Sequence, residues 1–369
     1  MALGLIFALC MTQSGCGGSD SMHISGCTIE HEPEFGGVYI HKTIDEFNEL
    51  GYQYGDSVDI TFSNGYTLED LPYYNGYYTE IGEPVLVAYP GYDYIKLAVN
   101  SGGDAWEIGE LSDDDTAEII LNTAQKYLSV QKARDIHYLD ERDAYKSDEV
   151  FANFRNVQVG NLKPGILYRS ASPCDNQHNR AAYTDALIEE AGIAFILNLA
   201  DDHDKIEGYR TAGDFNSPYF NSLYDAGKVN PIALDMNYTS DHFRDKLVDG
   251  LITMSDNDGP YLVHCTEGKD RTGFVCVFLE ALAGASYAEM VRDYMATYDN
   301  YYQISRKTDP ERYDVIVESV FNPMLEYIAG DENVNLKKVD YAARAEQILM
   351  DGGMTNDAIK KLKSRLLTE

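Results

Sequence analysis

Residues 260–282 read PYLVHCTEGKDRTGFVCVFLEAL. The apolar run Tyr261-Leu262-Val263 reads as a strand and Phe274 to Leu282 as an apolar helix, so residues 264–273 join a strand end to a helix N-terminus. Such a loop turns several backbone N–H groups toward one point, where the helix dipole also favours negative charge. A thiol held at such a place gives up its proton more readily, which makes Cys265 a candidate nucleophile. Arg271 offers a planar fork for two phosphate oxygens, a contact that lysine cannot imitate. A lone cysteine after an apolar strand is usually core. His264, Gly268, Arg271, Thr272 and Gly273 around this one argue for phosphate chemistry instead.

Cys265 and Arg271, with five residues between them and His264 in front, match the Cys-x5-Arg signature of the protein tyrosine phosphatase superfamily. The string Gly268-Lys269-Asp270-Arg271-Thr272-Gly273 resembles the bacterial atypical tyrosine/dual-specificity phosphatase family. Tyr168-Arg169-Ser170-Ala171-Ser172 and Ile196-Leu197-Asn198-Leu199-Ala200-Asp201 are similar to that family's upstream segments, in the same order. The resemblance covers residues 150–330. It implies a phosphomonoester hydrolase working through a phosphocysteine on Cys265, with phosphate held by Arg271 and the loop amides. Thr266, Glu267, Gly268 and Lys269 then line the substrate site, Thr272 assists the thiolate as leaving group, and His264 shapes the loop around the thiol. No metal and no cofactor is implied. Rhodanese loops carry one residue fewer between cysteine and arginine, so the spacing argues against sulfur transfer.

A general acid is needed to protonate the leaving oxygen. Asp235 lies where the superfamily's mobile acid loop falls, though no Trp-Pro precedes it. Asp270 matches a loop aspartate of the atypical bacterial family, and Asp201, Asp202 and Asp204 form a third cluster. Asp241 follows Ser240 and serves a helix start. Lys269 adds positive charge for a second phosphate or an anionic headgroup, whereas Glu267 at the mouth discourages polyanions. Arg169 reads either as a pocket-wall residue or as half of a structural ion pair. The expected substrates are phosphorylated proteins or small phosphomonoesters. A phosphoinositide phosphatase is the alternative enzyme, and a catalytically weak phospho-ligand binding surface protein is the alternative from another class.

The elements around the loop predict an α/β domain over 151–330, a tyrosine-phosphatase-like fold with a central sheet flanked by helices. Strands are expected at Val157–Gly160, Gly165–Arg169 and Phe195–Leu199, and helices at Ala181–Ala191 and after Ser240, where Phe243, Leu247, Leu251 and Met254 share a face. Ser286 to Glu289 is a capping-box start, and two helices at 338–350 and 355–368 close the chain as a segment, 331–369. Upstream, Val58-Asp59-Ile60-Thr61-Phe62, Pro84–Tyr89 and Tyr94–Val99 predict a small β-barrel over 28–112. Its wording resembles the C-terminal barrel of S-adenosylmethionine hydroxide adenosyltransferases, which implies a fold and no activity. Residues 113–150 read as a helical connector, with Asp113-Asp114-Asp115 at a helix start and Ile119, Ile120, Thr123 and Tyr127 at helical spacing.

The 369 residues carry 29 Lys and Arg against 61 Asp and Glu, a formal charge of −32, which excludes an extended nucleic-acid partner. Most of the excess, a net −20, lies in residues 1–150. Hydrophobic residues make up 44%, enough to build cores. The apolar run Ala2 to Met11 is too short to span a bilayer but suits a signal-peptide core, residues 1–20 being read as the leader. Ser14-Gly15-Cys16 resembles a bacterial lipoprotein processing site, which implies lipidation of Cys16, membrane attachment through it and an extracytoplasmic, lipid-anchored or secreted protein.

Overall fold

The computed structural model describes residues 22–368; the apolar leader and Cys16 lie outside them. Seven strands come first: β1 (His23–Glu32), β2 (Gly37–Thr43), β3 (Ser57–Phe62), β4 (Thr67–Tyr74), β5 (Pro84–Val87), β6 (Tyr94–Val99) and β7 (Thr116–Thr123). They close into a barrel in the order β1-β2-β6-β5-β4-β3-β7. In β3 the alternation is the expected one, with Val58, Ile60 and Phe62 turned inward. Ile29, Ile40, Leu71, Leu97 and Ile119 meet them in the interior.

A closed ring of seven strands cannot alternate direction all the way round, so one neighbouring pair must run parallel. That pair is β4 and β5, with Tyr73 opposite Leu86. Parallel neighbours cannot be joined by a tight hairpin. The chain therefore leaves the barrel wall after Tyr74 and returns at Pro84, through a crossover of residues 75–83 that carries Tyr77, Tyr78 and Glu80.

The barrel runs further than residues 28–112, because the start of the expected helical connector is its closing strand. β7 pairs with β1 on one side and β3 on the other. Ala117 and Ile119 point inward while Thr116 and Glu118 do not, a period of two. The acidic run ahead of it makes a turn: Asp115 accepts from the Ser63 hydroxyl at 2.6 Å and from the Ser112 amide at 3.0 Å. The connector helix is the short Leu128–Arg134. It faces two cores, with Tyr127 and Val130 against the barrel's Tyr74, Val85 and Val87, and Ala133 inside the core of the second domain. Gln131 clasps the barrel's Asn75 through both halves of its amide, at 2.7 and 3.4 Å.

The second domain is an α/β sandwich on a five-stranded sheet. Its strands are β8 (Arg155–Asn156), β9 (Leu167–Ser170), β10 (Phe195–Asn198), β11 (Val229–Pro231) and β12 (Tyr261–His264), in the order β11-β10-β12-β9-β8. All pairs are parallel except β8 with β9. Val157 and Val159 are buried as a strand would bury them, but the ladder ends at Asn156. β12 is central and wholly buried. Leu197, Tyr261 and Val263 face one core, and Ile196 and Leu262 the opposite one, as a sheet covered on both faces requires. Ser240 caps the helix Asp241–Asp256, and Ser286 and Glu289 form the capping box of Tyr287–Tyr302. The last helices, Tyr341–Asp351 and Asn356–Leu366, put Tyr341, Leu349, Leu362 and Leu366 into the same core as β12, so no boundary at 330 separates them.

Barrel and connector also meet at Gly55. Its carbonyl accepts from the Tyr127 amide at 2.7 Å, its φ is +96°, and a Cβ there would stand 2.7 Å from the Leu128 Cα. Gly55→Ala is expected to cost about 1–3 kcal/mol of unfolding free energy in a urea titration. An unchanged midpoint would show that the connector gives way freely.

Candidate active site

The site grows from the carboxyl ends of β12 and β9, where an open parallel sheet leaves a crevice. His264 ends β12, and the helix Asp270–Leu282 begins six residues later, so residues 265–269 are the loop. The carbonyls of this loop are tied outward one after another. That of Cys265 faces His264 Nδ1 at 3.2 Å, that of Thr266 accepts from the Ser172 amide at 3.0 Å, and that of Glu267 from the Tyr301 hydroxyl at 2.7 Å. The Gly268 carbonyl takes two donors, Asn153 Nδ2 and Arg169 Nη2, each at 3.0 Å. With the carbonyls held back, the peptide N–H groups turn the other way. Among the described residues the amides of Thr266 to Lys269 donate to no protein acceptor.

Gly268 is required where it stands. Its φ is +68°, and a Cβ would lie 2.2 Å from the Ser170 carbonyl oxygen of β9. Arg169 is fully buried, which settles its role. Its guanidinium pairs with Asp293 at 2.9 Å while holding the Gly268 carbonyl, so it positions the loop and cannot line the substrate site as expected. Arg155 shares the same carboxylate at 3.0 Å. Burial alone would raise the Asp293 pKa; Arg155 and Arg169 outweigh it and hold the carboxyl well below the usual carboxylate range. The neighbouring Glu280 is pushed the other way, by burial and by Asp293. Burial likewise pushes the Cys276 thiol up to about 12, so it stays a core thiol.

The structure brings most of the expected site residues together. Cys265 is a buried free thiol at the loop's start. Arg271 points Nη1 at the Leu234 carbonyl, 3.2 Å away, and Nη2 at Thr266 Oγ1, at 3.5 Å, while its Nε has no partner. The Thr272 hydroxyl is also buried without a partner. Lys269 lies 3.6 Å from Glu267 and 3.5 Å from Asp270, and these carboxylates with Tyr302 raise its pKa although burial opposes them.

The acid candidates separate. The Asp270 carboxylate is 40% exposed and lines the cleft beside Arg271. Asp235 is exposed too, but its carboxylate accepts the Asn237 amide at 2.8 Å, and its segment reaches Arg271 only through the Leu234 carbonyl. Asp201 is buried and engaged by Asn198 at 3.0 Å and Tyr209 at 3.2 Å. Asp202 caps the helix His203–Thr211, on which Asp204 is exposed. The residues that orient the loop, Asn153, Tyr301 and Asp293, carry no sequence signal of that role.

A protein-family model described as the tyrosine phosphatase family matches residues 149–368. The chain belongs to the tyrosine phosphatase family. A tyrosine-protein phosphatase of Nostoc commune is 46% identical over 57 residues, which is 15% of this chain and 19% of that relative. Among solved structures, the core catalytic domain of the PP-IP phosphatase Siw14 of S. cerevisiae shows 20% identity, covers 44% of this chain and 84% of its own, and gives a TM-score of 0.27. A second structure of the Siw14 catalytic core shows 17% identity over 46% and 94%, again at 0.27.

His264 is fully enclosed in this phosphatase-family loop, and its Nδ1 faces a carbonyl, so the ring proton sits on Nδ1. Burial, reinforced by Arg271 and only partly opposed by Asp201, lowers its pKa from 6.5 to about 4. Between those values the unfolded chain takes up a proton that the native protein refuses. The resulting stability is complete above pH 6.5 and is lost as the pH falls toward 4. Denaturant titrations from pH 7 to 4.5 should show wild type losing more stability than His264→Gln; equal losses would mean that the ring titrates freely.

Proposed function

We propose that the protein is a cysteine-dependent phosphomonoester hydrolase of the tyrosine/dual-specificity type. The observation that carries this reading is the row of unpartnered amides beside Cys265, next to an arginine whose Nε is free and buried. An anion with three equatorial oxygens suits that cradle. Sγ of Cys265 attacks phosphorus in line, and the P–O bond to the leaving oxygen breaks. Arg271 and the amides hold the charge that gathers on the equatorial oxygens. The leaving oxygen takes a proton from a carboxyl, which we assign to Asp270 because it shares the cleft with Arg271. Water, giving a proton back to the Asp270 carboxylate, then attacks the phosphocysteine; the S–P bond breaks, releasing phosphate and returning the electron pair to sulfur. Thr272, whose buried hydroxyl has no other partner among the described residues, would donate to that departing thiolate.

The same proposal includes the leader: lipidation at Cys16 would hold the enzyme at an extracytoplasmic membrane surface.

In EDTA, wild type is expected to hydrolyse an aryl phosphate in a vanadate-sensitive way, and Cys265→Ser to lose the activity. Absence of turnover on aryl phosphate, phosphotyrosyl peptide and inositide alike would favour a phospho-ligand binding protein. Asp270→Asn should lower kcat on phenyl phosphate by about 10²-fold or more, the usual weight of general acid catalysis, and much less on nitrophenyl phosphate, whose leaving group needs little protonation. The same pattern in Asp235→Asn would move the proton to Asp235.

A further inference from the structure

The phosphate-binding loop opens into a cleft of about 1140 Å³ whose far wall is the barrel. That space is larger than a drug-sized ligand needs, and a phosphoryl group fills only its inner end. From the barrel, the crossover contributes Tyr77, Tyr78 and Glu80; from the connector comes Arg134; from the loop side come Asp270 and Arg271. The crossover is held in place. Gln131 clasps Asn75 at its root, the Tyr77 and Tyr92 hydroxyls are 3.0 Å apart, and Arg134 lies over the Tyr78 ring at 5.2 Å while donating to the Tyr78 carbonyl. The wall is built, and it stands beside a catalytic loop from the other domain.

Its charge selects the occupant. Lys269 is engaged by Glu267 and Asp270, and Asp140 by Arg180 and His178. Glu80 has no cation within ion-pair distance among the described residues. Burial and the carboxylates of Glu83 and Glu332 raise its pKa, and burial with Glu80 and Glu332 raises that of Glu326. Beyond the single phosphate, the other lining arginine, Arg134, lies against the Tyr78 ring, and the carboxylates of Glu80, Asp135 and Glu267 outnumber it. An inositol polyphosphate would set its remaining phosphates against Glu80, Asp135 and Glu267. A cationic side chain would relieve them.

Resting on the phosphatase reading above, we infer that the barrel forms the specificity wall of the active site, and that the cleft takes a phosphopeptide bearing a Lys or Arg that pairs with Glu80. The backbone of such a peptide runs past Tyr77 and Tyr78.

The test compares kcat/KM for two phosphotyrosyl peptides that differ only in flanking Lys or Glu residues, with nitrophenyl phosphate and inositol hexakisphosphate in parallel. Wild type is expected to prefer the basic peptide by about tenfold, the scale of one close charge pair at an interface. Glu80→Gln should erase most of that ratio and Glu80→Lys should invert it. Turnover of nitrophenyl phosphate with equal use of the two peptides, or with preference for the inositol phosphate, overturns the peptide site alone. A basic preference unchanged in both Glu80 variants overturns the assignment to the barrel wall. No turnover of any substrate overturns the phosphatase reading and this site with it.

Discussion

Four consecutive peptide units, from Cys265 to Gly268, have their carbonyls fixed away from the site, and the rest of the structure serves that orientation. A peptide is a rigid dipole, so holding its oxygen on one side commits its N–H to the other. The donors come from elements scattered along the chain: Asn153 and Arg169 beside β8 and β9, Ser172 just after β9, and Tyr301 from the helix Tyr287–Tyr302. The loop therefore acquires its row of unpartnered amides only when the whole α/β domain is assembled. On the phosphatase reading proposed above, the reorganisation that water would undergo around a phosphate has been done in folding.

The buried charges beneath the loop are better understood as alignment than as stabilisation. An enclosed ion pair returns little net stability after desolvation, but removing one partner leaves a charge stranded. Asp293 fixes both Arg155 and Arg169, and Arg169 passes that fixity to the Gly268 carbonyl. One carboxylate on a distant helix thus sets the direction of a peptide in the active loop.

How far the sequence discloses this depends on range. Strand, loop and helix around Cys265 are legible because the signal is local: an apolar run, two glycines and a second apolar run determine both element types and the direction of the amides. Asn153, Tyr301 and Asp293 are illegible because they reach the loop only through tertiary packing, Asp293 standing 124 residues from Arg169. Arg169 itself is ambiguous in sequence for the same reason. The closing strand β7 reads as helix because Ile119, Ile120 and Thr123 suit either period; only its ladders with β1 and β3 decide the matter. The last helices look separable in sequence, since nothing local announces that Leu362 and Leu366 belong to the core under β12.

The odd number of strands in the barrel has a consequence for how the protein can change. The parallel pair obliges the chain to make an excursion, and the ladder holds that excursion at its two ends, Tyr74 and Pro84. Between them the chain rejoins the ladder only near its end, where Gly82 and Glu83 bond to Asn100, and its middle forms a wall of the cleft. The middle of this excursion is therefore where the approach to Cys265 can vary while the strand register of the barrel is kept. The Cys265 loop and the approach to it are thus encoded in separate stretches of the gene, so the one can change while the other is kept.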